Sequence, residues 1–177
     1  REHALSWKIS QSPKLKNLYI APGNAGTESV GTNLNLDVSN FQEVKSALIE
    51  HSINLVLVGP EVPLVDGIHD AISADPELQH IHVIGPKKAG AQLEGSKDFA
   101  KAFMHRHGIP TAKSVTVRTE TLKEGIEFLK KTQPPYVLKA DGLAAGKGVL
   151  IENDLEAASN ALTEMLSGKF GSASEMV

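Results

Sequence analysis

The densest run of chemically capable residues is Gly142-Leu143-Ala144-Ala145-Gly146-Lys147-Gly148, with Lys139 just upstream. A Walker A phosphate loop needs four residues between its glycines, then Gly-Lys-Ser/Thr, and it opens a helix. Here three residues separate Gly142 from Gly146, Gly148 stands in place of Ser/Thr, and the strand-like Val149-Leu150-Ile151 follows. The pattern is therefore a Gly-rich loop between two strands, a hairpin flap. Its glycines let backbone N–H groups approach phosphate oxygens closely, and Lys147 can neutralise their charge. The competing reading is a flexible hairpin tip with a solvated lysine. Lys139 tips the balance, because its alternation with Val137 and Leu138 places it at a strand end beside the flap.

Lys97 is a second cation of interest. It sits at a helix start, where the macrodipole disfavours positive charge unless an anion lies nearby. Asn24, Gly26, Thr27 and Glu61 offer an amide, a backbone N–H, a hydroxyl and a carboxylate. These groups suit a polyhydroxylated phosphate or amine ligand, although Pro-Gly-Asn is also ordinary turn chemistry. His80 and His82 would point to one side of a strand, but no third ligand lies nearby in sequence. His105 and His107 read as solvated helix-end residues. The sequence contains no His-Glu-x-x-His, no Gly-x-Ser-x-Gly and no complete Gly-x-Gly-x-x-Gly.

The elements that must position these residues follow from periodicity and turn signals. Residues 4–9 have helical spacing, stopped at Ser12-Pro13. Leu18–Ala21 is strand-like and enters the loop Pro22–Thr27. Leu34–Asp37 alternates as a further short strand. Ser39-x-x-Gln42 is a capping box for a helix over 40–51 with Phe41, Val44, Leu48 and Ile49 inward. Leu55–Val58 is a continuous apolar run, predicting a strand buried on both faces that ends at Gly59-Pro60-Glu61. One helix carrying Leu64 to Ile72 follows, then the strand Ile81–Ile84 and Gly85-Pro86. Strands alternating with helices predict a parallel sheet, with ligands beyond the strand C-terminal ends.

After Pro86 the texture changes. Ser96 precedes a helix over 97–107, closed by Gly108 with Pro110 beyond. Ser114–Arg118 alternates like a strand. Thr121-x-x-Glu124 and Asn153-x-x-Glu156 are capping boxes for two more helices, which flank the strand Tyr136–Ala140 and the flap. The division falls between Pro86 and Ser96.

Taken together, these stretches resemble the signature segments of the phosphoribosylamine–glycine ligases (glycinamide ribonucleotide synthetases), an ATP-grasp family. The matching segments are Arg1-Glu2-His3-Ala4, Ala21-Pro22-Gly23-Asn24-Ala25-Gly26-Thr27, Val58-Gly59-Pro60-Glu61 and Leu93-Glu94-Gly95-Ser96-Lys97, then Gly108-Ile109-Pro110-Thr111-Ala112 and Lys139 through Val149. The resemblance implies an α/β chain: a Rossmann-like (pre-ATP-grasp) parallel-sheet domain over 1–86, lacking its first strand. A connecting segment with the first ATP-grasp helix then covers 87–114. An incomplete α+β ATP-grasp subdomain with antiparallel strands and the Gly-rich flap covers 115–177.

The resemblance also implies a reaction. ATP phosphorylates the glycine carboxylate, and the amine of 5-phosphoribosylamine attacks the acyl phosphate. The products are glycinamide ribonucleotide, ADP and phosphate, in purine biosynthesis. Lys97, Lys139, Gly142, Gly146, Lys147 and Gly148 match the ATP side, with the loop 141–148 expected to order around nucleotide. Asn24, Gly26, Thr27 and Glu61 match the phosphoribosylamine side. The Mg²⁺ (or Mn²⁺) ligands, the catalytic residues and much of the glycine site are expected beyond Val177, with no metal ligand in this chain. Other readings are a different ATP-grasp carboxylate–amine ligase and a non-catalytic nucleotide-binding module.

Bulk properties agree with these expectations. The 177 residues are 41% apolar, 22% charged and 5% aromatic, an ordinary globular composition. A net charge of -3 gives no electrostatic footprint for nucleic acid or an anionic membrane surface. No apolar run reaches the roughly 20 residues that span a bilayer. Cysteine is absent, which excludes disulfides and thiolate chemistry. A cytoplasmic address is expected. The opening Arg1, without Met, and the strand-like Met176-Val177 read as cuts through a larger protein.

Overall fold

A computed structural model describes residues 1–143 and 148–169. The chain divides into two compact units, Arg1–Ala91 and Gln92–Val177, each with its own apolar cluster.

In the first unit, α1 (Glu2–Ser10) leads to β1 (Tyr19–Ile20), which pairs in parallel with β2 (Thr32–Asn33). Then come α2 (Phe41–Glu50), β3 (Leu55–Leu57), α3 (Glu61–Asp66), α4 (Ile68–Ala74) and β4 (His82–Ile84). β3 and β4 pair in parallel, with Leu55 opposite His82 and Leu57 opposite Ile84. Val44 and Leu48 of α2, Ile72 of α4, Leu78 and Ile81 form the buried cluster, and Val56 and Val83 pack against it. Lys45 braces the unit from outside, with its ammonium 2.7 Å from Asp75 and 2.6 Å from Glu77.

The parallel pairing is as expected, but several local readings are corrected. β3 buries one face only: Leu55 and Leu57 are 49% and 37% exposed, while Val56 turns inward. An unbroken apolar run cannot reveal this, because side chains alternate between faces whatever lies outside them. Pairing with β1 occurs at Thr32–Asn33, so Leu34–Asp37 forms no strand, although Leu34 N–H still donates to Ile20 O at 2.8 Å. Asn40, not Ser39, caps α2 by accepting from Gln42 N–H at 3.1 Å. The Ser39 hydroxyl turns back to Asp37 Oδ1 at 2.7 Å. Ile49 is exposed. The single helix expected over Leu64–Ile72 is two, because the chain turns left-handed at Gly67 (φ 103°), where glycine has no steric penalty.

α5 (Lys88–Gly95) crosses the division, and sequence reasoning missed it. Gly90 and Gly95 dilute its helical signal, and Ala91 is its only buried residue. The second unit then contains α6 (Lys97–Arg106), α7 (Leu122–Lys130), the hairpin β5 (Tyr136–Lys139) and β6 (Val149–Glu152), and α8 (Leu155–Glu164). The hairpin is antiparallel, with Tyr136 opposite Glu152 and Lys139 opposite Val149. Its inner face places Tyr136, Leu138 and Ala140 against Leu129, Ala158, Leu162 and Met165.

Ser114–Arg118 forms no strand; only Val117 makes a single bridge, and its side chain enters this cluster. Side chains of α6 reach polar groups in the stretch that precedes Val117. Asp98 accepts from the Thr116 hydroxyl. Lys101 Nζ donates to Thr111 Oγ1 at 2.8 Å and to Ala112 O at 3.0 Å. Thr121 serves the 3-10 turn Thr119–Thr121, accepting from Arg118 N–H at 2.9 Å, rather than capping α7. Asp154, one residue beyond Asn153, caps α8 by accepting from Ala157 N–H at 2.9 Å.

Candidate functional site

In the first unit the loop after β1 is built around Asn24 and Thr27. Asn24 Oδ1 accepts from Gly26 N–H at 2.9 Å and Thr27 N–H at 3.3 Å, which closes an Asx-type turn. Thr27 is fully buried. Its Oγ1 accepts from Asn24 N–H at 2.8 Å and lies 2.7 Å from Asn33 Oδ1 and 2.8 Å from Asn24 O, which compete for its one proton. Asn33 Nδ2 donates to Asn24 O at 3.0 Å, tying the loop to β2. Gly23 has φ 80°, and a Cβ there would fall 2.2 Å from the Asn33 side chain. Both the backbone angle and the close approach require glycine. The Thr27 hydroxyl thus faces inward and holds the loop, while Asn24 is exposed and Gly26 half-buried.

Glu61 opens α3 directly beyond β3, and Arg1 reaches it with a two-pronged contact. Arg1 Nη1 lies 2.5 Å from Glu61 Oε1, and Nη2 lies 3.3 Å from Oε2. Such forks fix geometry as well as charge. The His3 ring lies against Gly26, about 3.1 Å from where a Cβ would project. The start of α1 therefore joins two strand-end loops, at Gly26 through His3 and at Glu61 through Arg1. Sequence reasoning assigned no role to Arg1; its signal was its place in the matched Arg-Glu-His-Ala segment.

The Arg1 hydrogen bond and charge hold the Glu61 carboxyl below the usual carboxylate range and raise the guanidinium pKa further. A carboxyl depressed in this way stabilises the fold above the ordinary glutamate range. That contribution fades as pH falls through the lowered value. In an NMR titration Glu61 is expected to titrate below a free glutamate, and Arg1→Ala should move it upward. An unchanged midpoint would show that the fork does not persist in solution.

In the second unit, Lys139 lies on the hairpin face opposite the core, half-buried, together with Val137, Val149 and Ile151. These three apolar neighbours are exposed, Ile151 by 62%. The Lys139 ammonium has no hydrogen-bond or ion-pair partner among the described residues. An open apolar strip carrying one such cation has the chemistry to receive a flat ring next to an anionic group. Lys97 sits at the loop root, its Nζ donating to Gly142 O at 2.8 Å. Gly148 is buried and its carbonyl accepts from Ala140 N–H at 2.7 Å, closing the hairpin. Gly146 and Lys147 lie outside the described residues, as does half of the loop expected to order around nucleotide.

Among the described residues no three His, Asp or Glu side chains are grouped to hold a metal ion, and His80 and His82 are both exposed. No described helix is long and apolar enough to cross a membrane.

Residues 1–94 match the phosphoribosylglycinamide synthetase N domain, and residues 95–177 match the ATP-grasp (A) domain of the same enzyme. A phosphoribosylamine–glycine ligase of Allochromatium vinosum is 46% identical over 100% of this chain, and one of Vibrio cholerae is 43% identical over the same share. The chain spans 41% of the length of each of these relatives. The crystal structure of a phosphoribosylamine–glycine ligase from Thermotoga maritima superposes with a TM-score of 0.73 at 32% identity. It covers 98% of this chain, which covers 39% of it. The biotin carboxylase domain of a Hydrogenobacter thermophilus 2-oxoglutarate carboxylase has a TM-score of 0.69 at 18% identity, a likeness of fold alone. With both domain matches in order from the first residue to the last, the chain belongs to the phosphoribosylglycinamide synthetase family.

Proposed function

We propose that the protein containing this chain ligates glycine to 5-phosphoribosylamine with ATP. The observation that carries the reading is Lys139, set without a protein partner among the described residues on the open apolar face of the hairpin. ATP transfers its terminal phosphoryl group to the glycine carboxylate, giving ADP and an acyl phosphate. The phosphoribosylamine nitrogen then attacks the acyl carbon, the C–O bond to phosphate breaks, and glycinamide ribonucleotide forms with loss of a proton. Such a sequence depends on positioning and charge neutralisation more than on a protein nucleophile.

Residues 1–86 serve the phosphoribosylamine side, 87–114 connect, and 115–177 serve ATP. Lys139, Lys97 and the loop Gly142, Gly146, Lys147 and Gly148 bear on the phosphates. Val137, Val149 and Ile151 offer the apolar strip for the base. Asn24, Gly26 and Glu61 bear on phosphoribosylamine, with Thr27 holding their loop in shape. A divalent cation, Mg²⁺ or Mn²⁺, supplies further charge neutralisation when bound. The described residues hold no donor set that fits it, so its ligands are expected in the rest of the family's length.

The intact protein should release ADP only when glycine and phosphoribosylamine are both present, and residues 1–177 alone should release none. Equal release with unrelated amines would assign a different carboxylate–amine ligase, and nucleotide binding without ligation would assign a binding module. Glu61→Gln keeps shape and removes charge. It should change KM or turnover for phosphoribosylamine while ATP affinity stays near normal, and a selective loss of ATP binding would reverse the assignment of sides.

A further inference from the structure

Lys97 begins α6, where positive charge is disfavoured unless an anion sits close by. The structure identifies that anion as the protein's own Asp141, at the root of the Gly-rich loop. Asp141 Oδ1 accepts from Lys97 N–H at 2.5 Å and from Asp98 N–H at 3.2 Å. Its Oδ2 accepts from the Ser96 hydroxyl at 3.0 Å, and Ser96 Oγ itself accepts from Phe99 N–H at 3.1 Å. In return, Lys97 Nζ donates to the carbonyl of Gly142, the residue after Asp141. Two segments more than forty residues apart are thus joined by reciprocal bonds at one helix end.

We propose that Asp141 is a positioning residue for nucleotide binding: it acts through Lys97, fixing that ammonium and the root of the loop in one arrangement. This rests on the assignment of Lys97 and Lys139 to ATP. Three physical consequences support it. The carboxylate occupies the positive end of α6, so the helix terminus is already neutralised, and the Lys97 ammonium, held by a neutral carbonyl, is the cation left to meet a phosphate. The bond from Lys97 Nζ to Gly142 O is to a neutral carbonyl, which an anionic phosphate oxygen outcompetes because charge-assisted bonds are roughly twice as strong. With its amide held by Asp141, Lys97 loses little further freedom when that exchange happens.

The test is a double-mutant cycle in the full-length protein, reading the dissociation constant of a non-hydrolysable ATP analogue by calorimetry. Asp141→Asn keeps the shape and removes the charge, and is expected to weaken the analogue about tenfold, the low end for a lost charged contact. In a Lys97→Ala background the same change should weaken it less than about twofold, since the residue through which it acts is gone. Equal losses in both backgrounds, or none in either, overturn the proposal. If Asp141→Asn does not fold, Asp141→Glu takes its place, keeping the charge but displacing it by one methylene, and the same coupling is read. If Lys97→Ala and Lys139→Ala both leave affinity unchanged, the nucleotide assignment itself fails. If both weaken binding and Asp141→Asn does not, only the positioning role fails.

Discussion

In the intact protein, Lys139→Ala should reduce ATP affinity or turnover about ten- to a hundredfold, while Lys113→Ala changes neither appreciably. The magnitude is that of a lost charge-assisted contact, roughly 1.5–3 kcal/mol. Lys113 is an exposed lysine in the extended stretch before Val117 and makes a fair control for charge alone. Lys139 differs in its surroundings. It is half-buried on a strand, opposite Val149, on the hairpin face that also presents Val137 and Ile151. A cation among apolar side chains is partly desolvated, and no described residue compensates it, so an anionic ligand gains more there than at an open surface. Lys139→Met would separate charge from packing, because it keeps an unbranched stem against the valines. Matching kinetics for Lys139→Ala and Lys113→Ala would reduce Lys139 to a strand-end lysine.

Thr27→Val should destabilise the protein by about 2–4 kcal/mol, whereas Thr27→Ser should cost about 1 kcal/mol. Valine fills the same buried space but removes the hydroxyl, orphaning Asn24 N–H and Asn33 Oδ1, while Asn24 O keeps Thr27 N–H and Asn33 Nδ2 as donors. Each unsatisfied buried group costs about 1–3 kcal/mol, while serine loses only one methyl group. For a unit of this size the valine variant should unfold on the order of 10 °C lower by calorimetry. Because Thr27 holds the loop that carries Asn24 and Gly26, KM for phosphoribosylamine should rise as well. Equal stability of the two variants would show that the hydroxyl network does not hold this loop.

The elements legible in the sequence are those with strong local signals. α6 lies where Ser96, its apolar spacing and Gly108 put it, and the hairpin falls around the Gly-rich loop. α7 and α8 bury the positions that their periodicity marks, Leu129, Ala158 and Leu162. Errors gathered where two neighbouring residues compete for one role. Ser39 and Asn40, and likewise Asn153 and Asp154, are equally good caps by type, and only the path of the preceding chain chooses between them. Ser114–Arg118 has strand alternation but makes a single bridge at Val117, while Asp98 of α6 takes the Thr116 hydroxyl.

Residue types and their order determined the family, through a Gly-rich loop between strands with Lys139 just upstream and through segments matched along the whole chain. They also determined the parallel pairing of the first unit and the antiparallel hairpin of the second, through turn composition and strand–helix alternation. Tertiary structure alone decided which contacts these candidate side chains make within the protein. Thr27 turned inward to Asn33, Glu61 was taken by Arg1, and the start of α6 was neutralised by Asp141. The Glu61 and Asp141 contacts join residues 60 and 44 positions apart. Local periodicity carries no record of such pairings, because each partner's own neighbourhood reads the same whether or not the other is present.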